Sequence, residues 1–215
     1  MPAGSSAPIV AGMTAGNDLL ILIPSAGASR RMGRRDKCLE MVSGEPALRR
    51  AARLALSVSA HVRVSLPAGG PRLAGRQQAL AGLAVGVLSV PDAGEGMAAS
   101  LRAGARAALM QSASGMMILL PDMPEIDEDD IRGLAETFAR SPNRPLRAAS
   151  ADGIAGHPVI LPKDLLGALA LLSGDRGARD ILLQHPATLQ PLAGNRATLD
   201  LDTVEDWDRW RTSLR

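Results

Sequence analysis

The sequence predicts a three-layer α/β domain with a mostly parallel sheet. Short apolar runs of strand length recur along the chain, stretches with helical spacing separate them, and 215 residues suit one compact domain with a sizeable core. Residues 1–17, rich in Ala, Gly, Ser and Pro and without a basic segment ahead of an apolar run, read as a disordered leader rather than a signal peptide. The domain then occupies 18–215. Leu19–Ile23, closed by Pro24 and a small-residue loop, is the first buried strand. Val62–Leu66, Val85–Val90, Met116–Leu120 and Pro158–Leu161 follow as further strands. Helical spacing marks Pro46–Leu56, Arg72–Leu83, Met97–Met110 and Asp129–Arg140. Ligands of open α/β sheets bind at the carboxyl ends of the strands, so the loops after Ile23, Val90, Leu120 and Leu161 are where chemistry is expected.

Composition narrows the function. Aromatic residues are 1% of the chain and Tyr is absent, which counts against base-stacking platforms for single-stranded nucleic acid. A net charge of +2 gives no global basic field, so a nucleic-acid partner is not expected. No apolar stretch reaches the ~20 residues of a membrane span, so no membrane partner is expected either. The single cysteine, Cys38, forms no intrachain disulfide and fits a reducing cytoplasm.

The basic charge is concentrated instead in one loop. After the first strand come Pro24, Ser25, Ala26, Gly27, Ala28 and Ser29, then Arg30, Arg31, Arg34, Arg35 and Lys37. Small residues let backbone N–H groups approach an anion, and Arg30, Arg31 and Lys37 suit a triphosphate and its leaving pyrophosphate. The chain has two lysines, Lys37 and Lys163, against twenty-two arginines, so a lysine in this loop suggests a place for a compact point charge. The alternative is a solvated basic loop. A Walker A loop fails because Lys37 is followed by Cys38, and a dinucleotide fingerprint fails because only Gly27 and Gly33 occur here.

Asp122, directly after the run ending at Leu120, reads equally as a turn residue between prolines or as a ligand for Mg²⁺. Within Asp200-Leu201-Asp202-Thr203-Val204-Glu205-Asp206, strand alternation would put Asp200 and Asp202 on one face, with Asp202 the better second ligand. Thr203 and Asp206 fit a capping box that opens the last helix. Gly96, Met97 and Ser100 open a helix whose N-terminus suits a phosphate or a base edge. His157 precedes a strand and reads first as a structural, hydrogen-bonded histidine, second as an acceptor contact. Cys38 has no histidine partner to make it a nucleophile.

Taken in order, these segments resemble the MobA-like NTP transferase family, the molybdenum cofactor nucleotidylyltransferases and their relatives. The resemblance runs from Leu19 to Trp210. It rests on Ser25-Ala26-Gly27 through Arg30-Arg31-Met32-Gly33 and Lys37, Gly96-Met97 with Ser100 to Gly104, Pro121-Asp122-Met123-Pro124, Gly156-His157-Pro158-Val159, Gly174-Asp175-Arg176-Gly177-Ala178-Arg179, and the acidic run from Asp200. It implies a Rossmann-like nucleotidyltransferase domain in which an acceptor phosphate attacks the α-phosphorus of an NTP. By that resemblance Ser25, Ala26, Gly27, Lys37, Gly96, Met97 and Ser100 bind the nucleotide, and Arg30, Arg31, Lys37 and Asp122 are catalytic. His157, Asp175 and Arg179 meet the acceptor, and Asp122 with Asp202 holds Mg²⁺. The Gly96–Gly104 segment looks more like the cytidylyl-transferring branch, although Ala98 and Ala99 stand where that branch carries hydroxyls, which keeps CTP and GTP both open. Molybdopterin is the implied acceptor, and a molybdoenzyme or its chaperone the implied protein partner. The competing readings are a non-catalytic accessory that binds nucleotide or cofactor and delivers it, and a nucleotidyltransferase for another phosphorylated acceptor such as a sugar phosphate, a methylerythritol phosphate or a phospholactate. A nicotinamide oxidoreductase would need the missing glycine fingerprint.

Overall fold

The computed structural model describes residues 18–172 and 178–214. β1 (Leu19–Pro24) leads through the basic loop to a two-stranded hairpin, β2 (Met41–Val42) and β3 (Glu45–Pro46). Then come α1 (Ala47–Leu56), β4 (Val62–Pro67), α2 (Leu73–Leu80), β5 (Gly86–Val90), α3 (Met97–Met110), β6 (Gly115–Ile118) and α4 (Glu128–Arg140). The chain continues with β7 (Leu146–Ala149), β8 (Ala155–Pro162), α5 (Lys163–Ala170), α6 (Arg179–Gln184), β9 (Thr188–Pro191) and α7 (Val204–Ser213). Seven strands form one sheet in the order β5-β4-β1-β6-β8-β7-β9, in which β8 alone runs against its neighbours.

β1 is apolar at every position from Leu19 to Ile23 because both of its faces are covered. Leu19, Ile21 and Ile23 pack with Leu48 and Ala52 of α1 and with Ile131, Leu134 and Phe138 of α4. Leu20 and Leu22 face the other way, onto Leu101 and Ala105 of α3 and Leu166 and Leu169 of α5. The period of two along the strand thus builds two cores, one on each side of the sheet. A third cluster joins Met32 of the basic loop to Val42, Ala47 and Leu201, and to Trp207 and Trp210 of α7. It consumes both tryptophans of the chain as packing, with ring planes 88° apart and centroids 5.9 Å apart.

Four sequence expectations change. Asp200 and Asp202 are not on a strand: residues 199–202 are irregular, held by a bond from Leu201 N to Asp122 O at 3.0 Å and one from Trp207 Nε1 to Leu201 O at 3.0 Å. The loop after Leu161 lies away from the site, because antiparallel β8 points its carboxyl end at the start of β6, Pro162 opposite Gly115. The beginning of β8, at Gly156 and His157, faces the functional end instead. β7 and edge strand β9 were not anticipated. The capping box on Thr203 and Asp206 forms as expected, and Asp127 with Asp130 makes a second at α4. The leader lies outside the described residues. No helix among the described residues is long and apolar enough to cross a membrane.

Candidate functional site

The loop after β1 is shaped by a buried arginine. Arg76, on α2 and fully buried, donates from Nε and Nη2 to the two oxygens of Asp36 at 2.8 and 2.9 Å. Its Nη1 donates to Ser25 O at 2.5 Å. Asp36 also accepts from Ser29 Oγ at 3.2 Å and Cys38 N at 3.1 Å. One guanidinium therefore fixes both ends of the loop, from Ser25 to Cys38. Burial pushes the Cys38 thiol up to about 11, which leaves it protonated and unsuited to nucleophilic work.

Outside this anchor, among the described residues, the N–H groups of Gly27, Ala28, Ser29 and Arg30 have no protein acceptor. They line a cleft of about 440 Å³ whose other walls are Pro67, Gly69, Gly70, Pro71 and Arg72, at the end of β4 and beyond it, and Ala93, Gly94 and Gly96, after β5. Free N–H groups beside the Arg30 guanidinium suit an anion. Arg102 on α3 pairs with Asp92 and with Glu95, the latter at 2.9 Å, and so fastens the β5 loop. Gly96 turns that loop into α3 at φ +79°, a left-handed conformation that an L side chain rarely adopts.

Beside the cleft is a charged cluster. Lys37 Nζ donates to Asp122 Oδ2 at 2.5 Å and to Asp202 Oδ1 at 3.2 Å, and Arg31 reaches the other oxygen of Asp202 at 2.6 Å. The backbone bond between Leu201 and Asp122 sets the register that brings the two aspartates together. Burial alone would lower the Lys37 ammonium, but Asp122 and Asp202 together raise it above the usual lysine range. Asp200 is raised by burial and by the nearby charges of Asp202 and Asp122, which marks a locally excess negative charge. Asp122 and Asp202 offer hard anionic oxygens to one point from two elements, a donor set that fits Mg²⁺ or Mn²⁺ with phosphate oxygens completing the sphere. Among the described residues no group of three or more His, Cys, Asp or Glu is gathered to hold a metal unaided.

A second cleft, of about 460 Å³, lies across the start of α3 from the first. Its walls include Met97, Leu101, Ile118, Val159 and Leu182, with Arg147, His157 and Arg179 as its polar groups. Gly156 lets this wall close: a Cβ there would sit 1.8 Å from the Ala197 carbonyl oxygen, to which His157 N donates at 2.7 Å. Burial, then the nearby Arg147 charge, lowers the His157 imidazole to about 4. The ordinary value is 6.5, so between pH 6.5 and 4 the unfolded chain binds the extra proton. Stability from this group is therefore complete above pH 6.5 and lost as pH falls toward 4. Urea titrations should show that loss in the native chain and a flatter profile over the same window in His157→Asn.

The expected residues are thus sorted. Ala26, Gly27, Arg30 and Gly96 line the first cleft. Arg31, Lys37, Asp122 and Asp202 form the charged cluster. His157 and Arg179 line the second cleft, and Met97 joins them rather than the first. Ser25 lies buried under the loop, and Ser100 is buried too, its Oγ accepting from Ser65 Oγ at 2.9 Å, so neither lines these two clefts. Asp175 lies outside the described residues. Arg76, Asp36 and Arg147 escaped the sequence reading. The Gly69-Gly70-Pro71 turn after β4 did too, although such a turn directly after a predicted strand was a usable signal.

Several solved structures share this fold. Rv0371c from Mycobacterium tuberculosis H37Rv is 26% identical, with a TM-score of 0.73 over 89% of this chain and 96% of that one. Its complex with manganese has a TM-score of 0.71 at 23% identity, covering 91% and 98%. A 4-diphosphocytidyl-2C-methyl-D-erythritol synthase from Anaerococcus prevotii DSM 20548 shares the fold at 12% identity and a TM-score of 0.65, covering 91% and 95%. No curated protein sequence matches the chain. The profile of the MobA-like NTP transferase domain matches residues 21–189, more than half of the sequence. The chain belongs to that nucleotidyltransferase family.

Proposed function

We propose that this chain transfers a nucleotidyl group from an NTP, CTP ahead of GTP, to the phosphate of a phosphorylated acceptor, molybdopterin first, with release of pyrophosphate. What carries the reading is the pairing of two clefts on either side of the Gly96–Met97 junction with a lysine–aspartate cluster at the carboxyl end of β6. The preference for CTP and molybdopterin rests on the motif resemblance. The open N–H groups of Gly27 to Arg30 and the Arg30 guanidinium receive the triphosphate in the first cleft. An oxygen of the acceptor phosphate bonds to the α-phosphorus, and the bond to the β-phosphate oxygen breaks. Its electron pair leaves on pyrophosphate, whose charge Lys37 and Arg31 offset. No side chain need move a proton, since positioning and charge neutralisation dominate such transfers. Asp122 and Asp202 would hold Mg²⁺, which when bound supplies Lewis-acid polarisation of the phosphate. The product would pass to a molybdoenzyme or its chaperone.

The test is pyrophosphate release with Mg²⁺, each of the four NTPs and molybdopterin. Acceptor-dependent release with CTP supports the proposal as written, and release with GTP alone corrects the base. No release with any pair, alongside tight nucleotide binding, favours an accessory that delivers rather than transfers.

Lys37 sits where the two carboxylates converge, so it competes with a metal ion for them. Lys37→Met should raise the NTP KM and lower kcat, each by about tenfold or more, as expected for a lost charged contact to phosphate. The same substitution should tighten Mn²⁺ binding to the nucleotide-free protein, read by paramagnetic relaxation of water protons. Weaker Mn²⁺ binding in Lys37→Met would show that the lysine supports the site instead of filling it.

A further inference from the structure

Arg147 differs from the arginines that are paired with carboxylates around the fold. Arg76 meets Asp36, Arg102 meets Asp92 and Glu95, Arg196 meets Asp127 and Asp130, and Arg211 meets Glu40. Among the described residues, Arg147 meets no carboxylate; nor do Arg49, Arg50 and Arg63, which donate to protein carbonyls or to Gln111, but Arg147 lines the second cleft. Its Nε donates to Gly156 O at 2.7 Å, which fixes the guanidinium plane and leaves the terminal N–H groups beside the second cleft. Burial alone lowers its basicity, with no anion acting to offset it. A half-buried cation without a counter-ion in an apolar-walled cleft is costly, and an anionic ligand group removes that cost.

His157 lines the same cleft, and its ring Nδ1 offers one further hydrogen-bonding position. That Nδ1 is buried and has no partner among the described residues. Leu101, Ile118, Val159 and Leu182 supply apolar wall around both groups.

We infer that Arg147 is the anchor for the acceptor's phosphate, and that the second cleft selects a phosphate monoester whose largely apolar body lies against His157. The inference rests on the transfer reading above for the meaning of "acceptor", and it adds a specificity-determining residue to it. Arg147 holds the attacking phosphate in the second cleft while the first cleft holds the nucleotide, so substitution should separate the two substrates.

The probe is benzyl phosphate, with benzyl alcohol and inorganic phosphate as controls, titrated into the full chain by calorimetry and by NMR of the His157 ring. Benzyl phosphate should bind more tightly than either control and shift the His157 ring signals. Arg147→Met should weaken it about tenfold or more, as expected for a lost charge-assisted hydrogen bond, with CTP affinity unchanged. Arg147→Lys should recover part of the loss, which guards against a folding defect in the methionine variant. Equal binding to native and Arg147→Met protein, binding without a His157 shift, or no binding at millimolar probe overturns the inference. Arg147-dependent binding without pyrophosphate release under any NTP would leave the inference standing and remove the transfer reading.

Discussion

Asp122→Ala is expected to reduce metal-dependent pyrophosphate release by about a thousandfold or more while leaving the chain folded, a loss in the range seen when a group that stabilises transition-state charge is removed. Asp122 is 3% exposed and follows β6 at the carboxyl end of the central strands, where its carboxylate meets Lys37. Its backbone carbonyl, which holds Leu201 and so the whole approach of α7, survives any side-chain substitution. Asp122→Asn keeps the shape but not the charge, and it should fall nearly as far. Steady-state release at saturating NTP, with a urea melt on the same preparations, separates chemistry from folding. Full activity in either variant would refute the metal assignment. Asp202→Ala should cost less in turnover because Asp202 is more exposed and shared between Lys37 and Arg31. It also sits directly before the Thr203 cap, so its melt has to be read beside its rate.

What the sequence reveals here depends on how local the determinant is. β1 announces itself because a central parallel strand is covered on both faces and must be apolar throughout. β7, Leu146-Arg147-Ala148-Ala149, and β9, Thr188-Leu189-Gln190-Pro191, carry no such run, and β9 lies at the sheet edge with mostly exposed residues. Strand direction has no periodicity either, so nothing in the run Pro158–Leu161 tells that the loop after it leaves the functional end and that Gly156 and His157 enter β8 there. Lys37, Asp122 and Asp202 were legible as residues because each follows a recognisable motif. Their meeting was not, since it depends on a backbone bond between residues 122 and 201 in a segment without regular structure. Arg76 and Arg147 are two of twenty-two arginines, and nothing local distinguishes them. Only packing decides which guanidinium is buried, and whether a carboxylate or an empty cleft lies opposite it.

Arg76→Met should destabilise the chain by about 3–5 kcal/mol, the usual cost of removing one partner of a buried ion pair. Asp36 would then be left half-enclosed with a carboxylate whose two strongest donors are gone, and Ser25 O would lose its donor as well. Urea unfolding should report a lower midpoint with an unchanged slope, since the surface exposed on unfolding stays the same. The double variant Arg76→Met with Asp36→Asn should recover part of the loss, because it removes the stranded charge along with its partner. Cys38 gives an independent readout. Its side chain is buried, its backbone N–H donates to Asp36, and the thiol should resist labelling by a thiol reagent in the native chain. If Arg76 is the clamp on residues 25–38, Arg76→Met should make Cys38 labelling markedly faster under native conditions, and NTP affinity should fall with it because the Gly27–Arg30 N–H groups lose their fixed geometry. A midpoint shift worth less than about 1 kcal/mol, within the range of ordinary single substitutions, with Cys38 still protected, would mean that the loop is held by Met32 in the tryptophan cluster and not by the guanidinium.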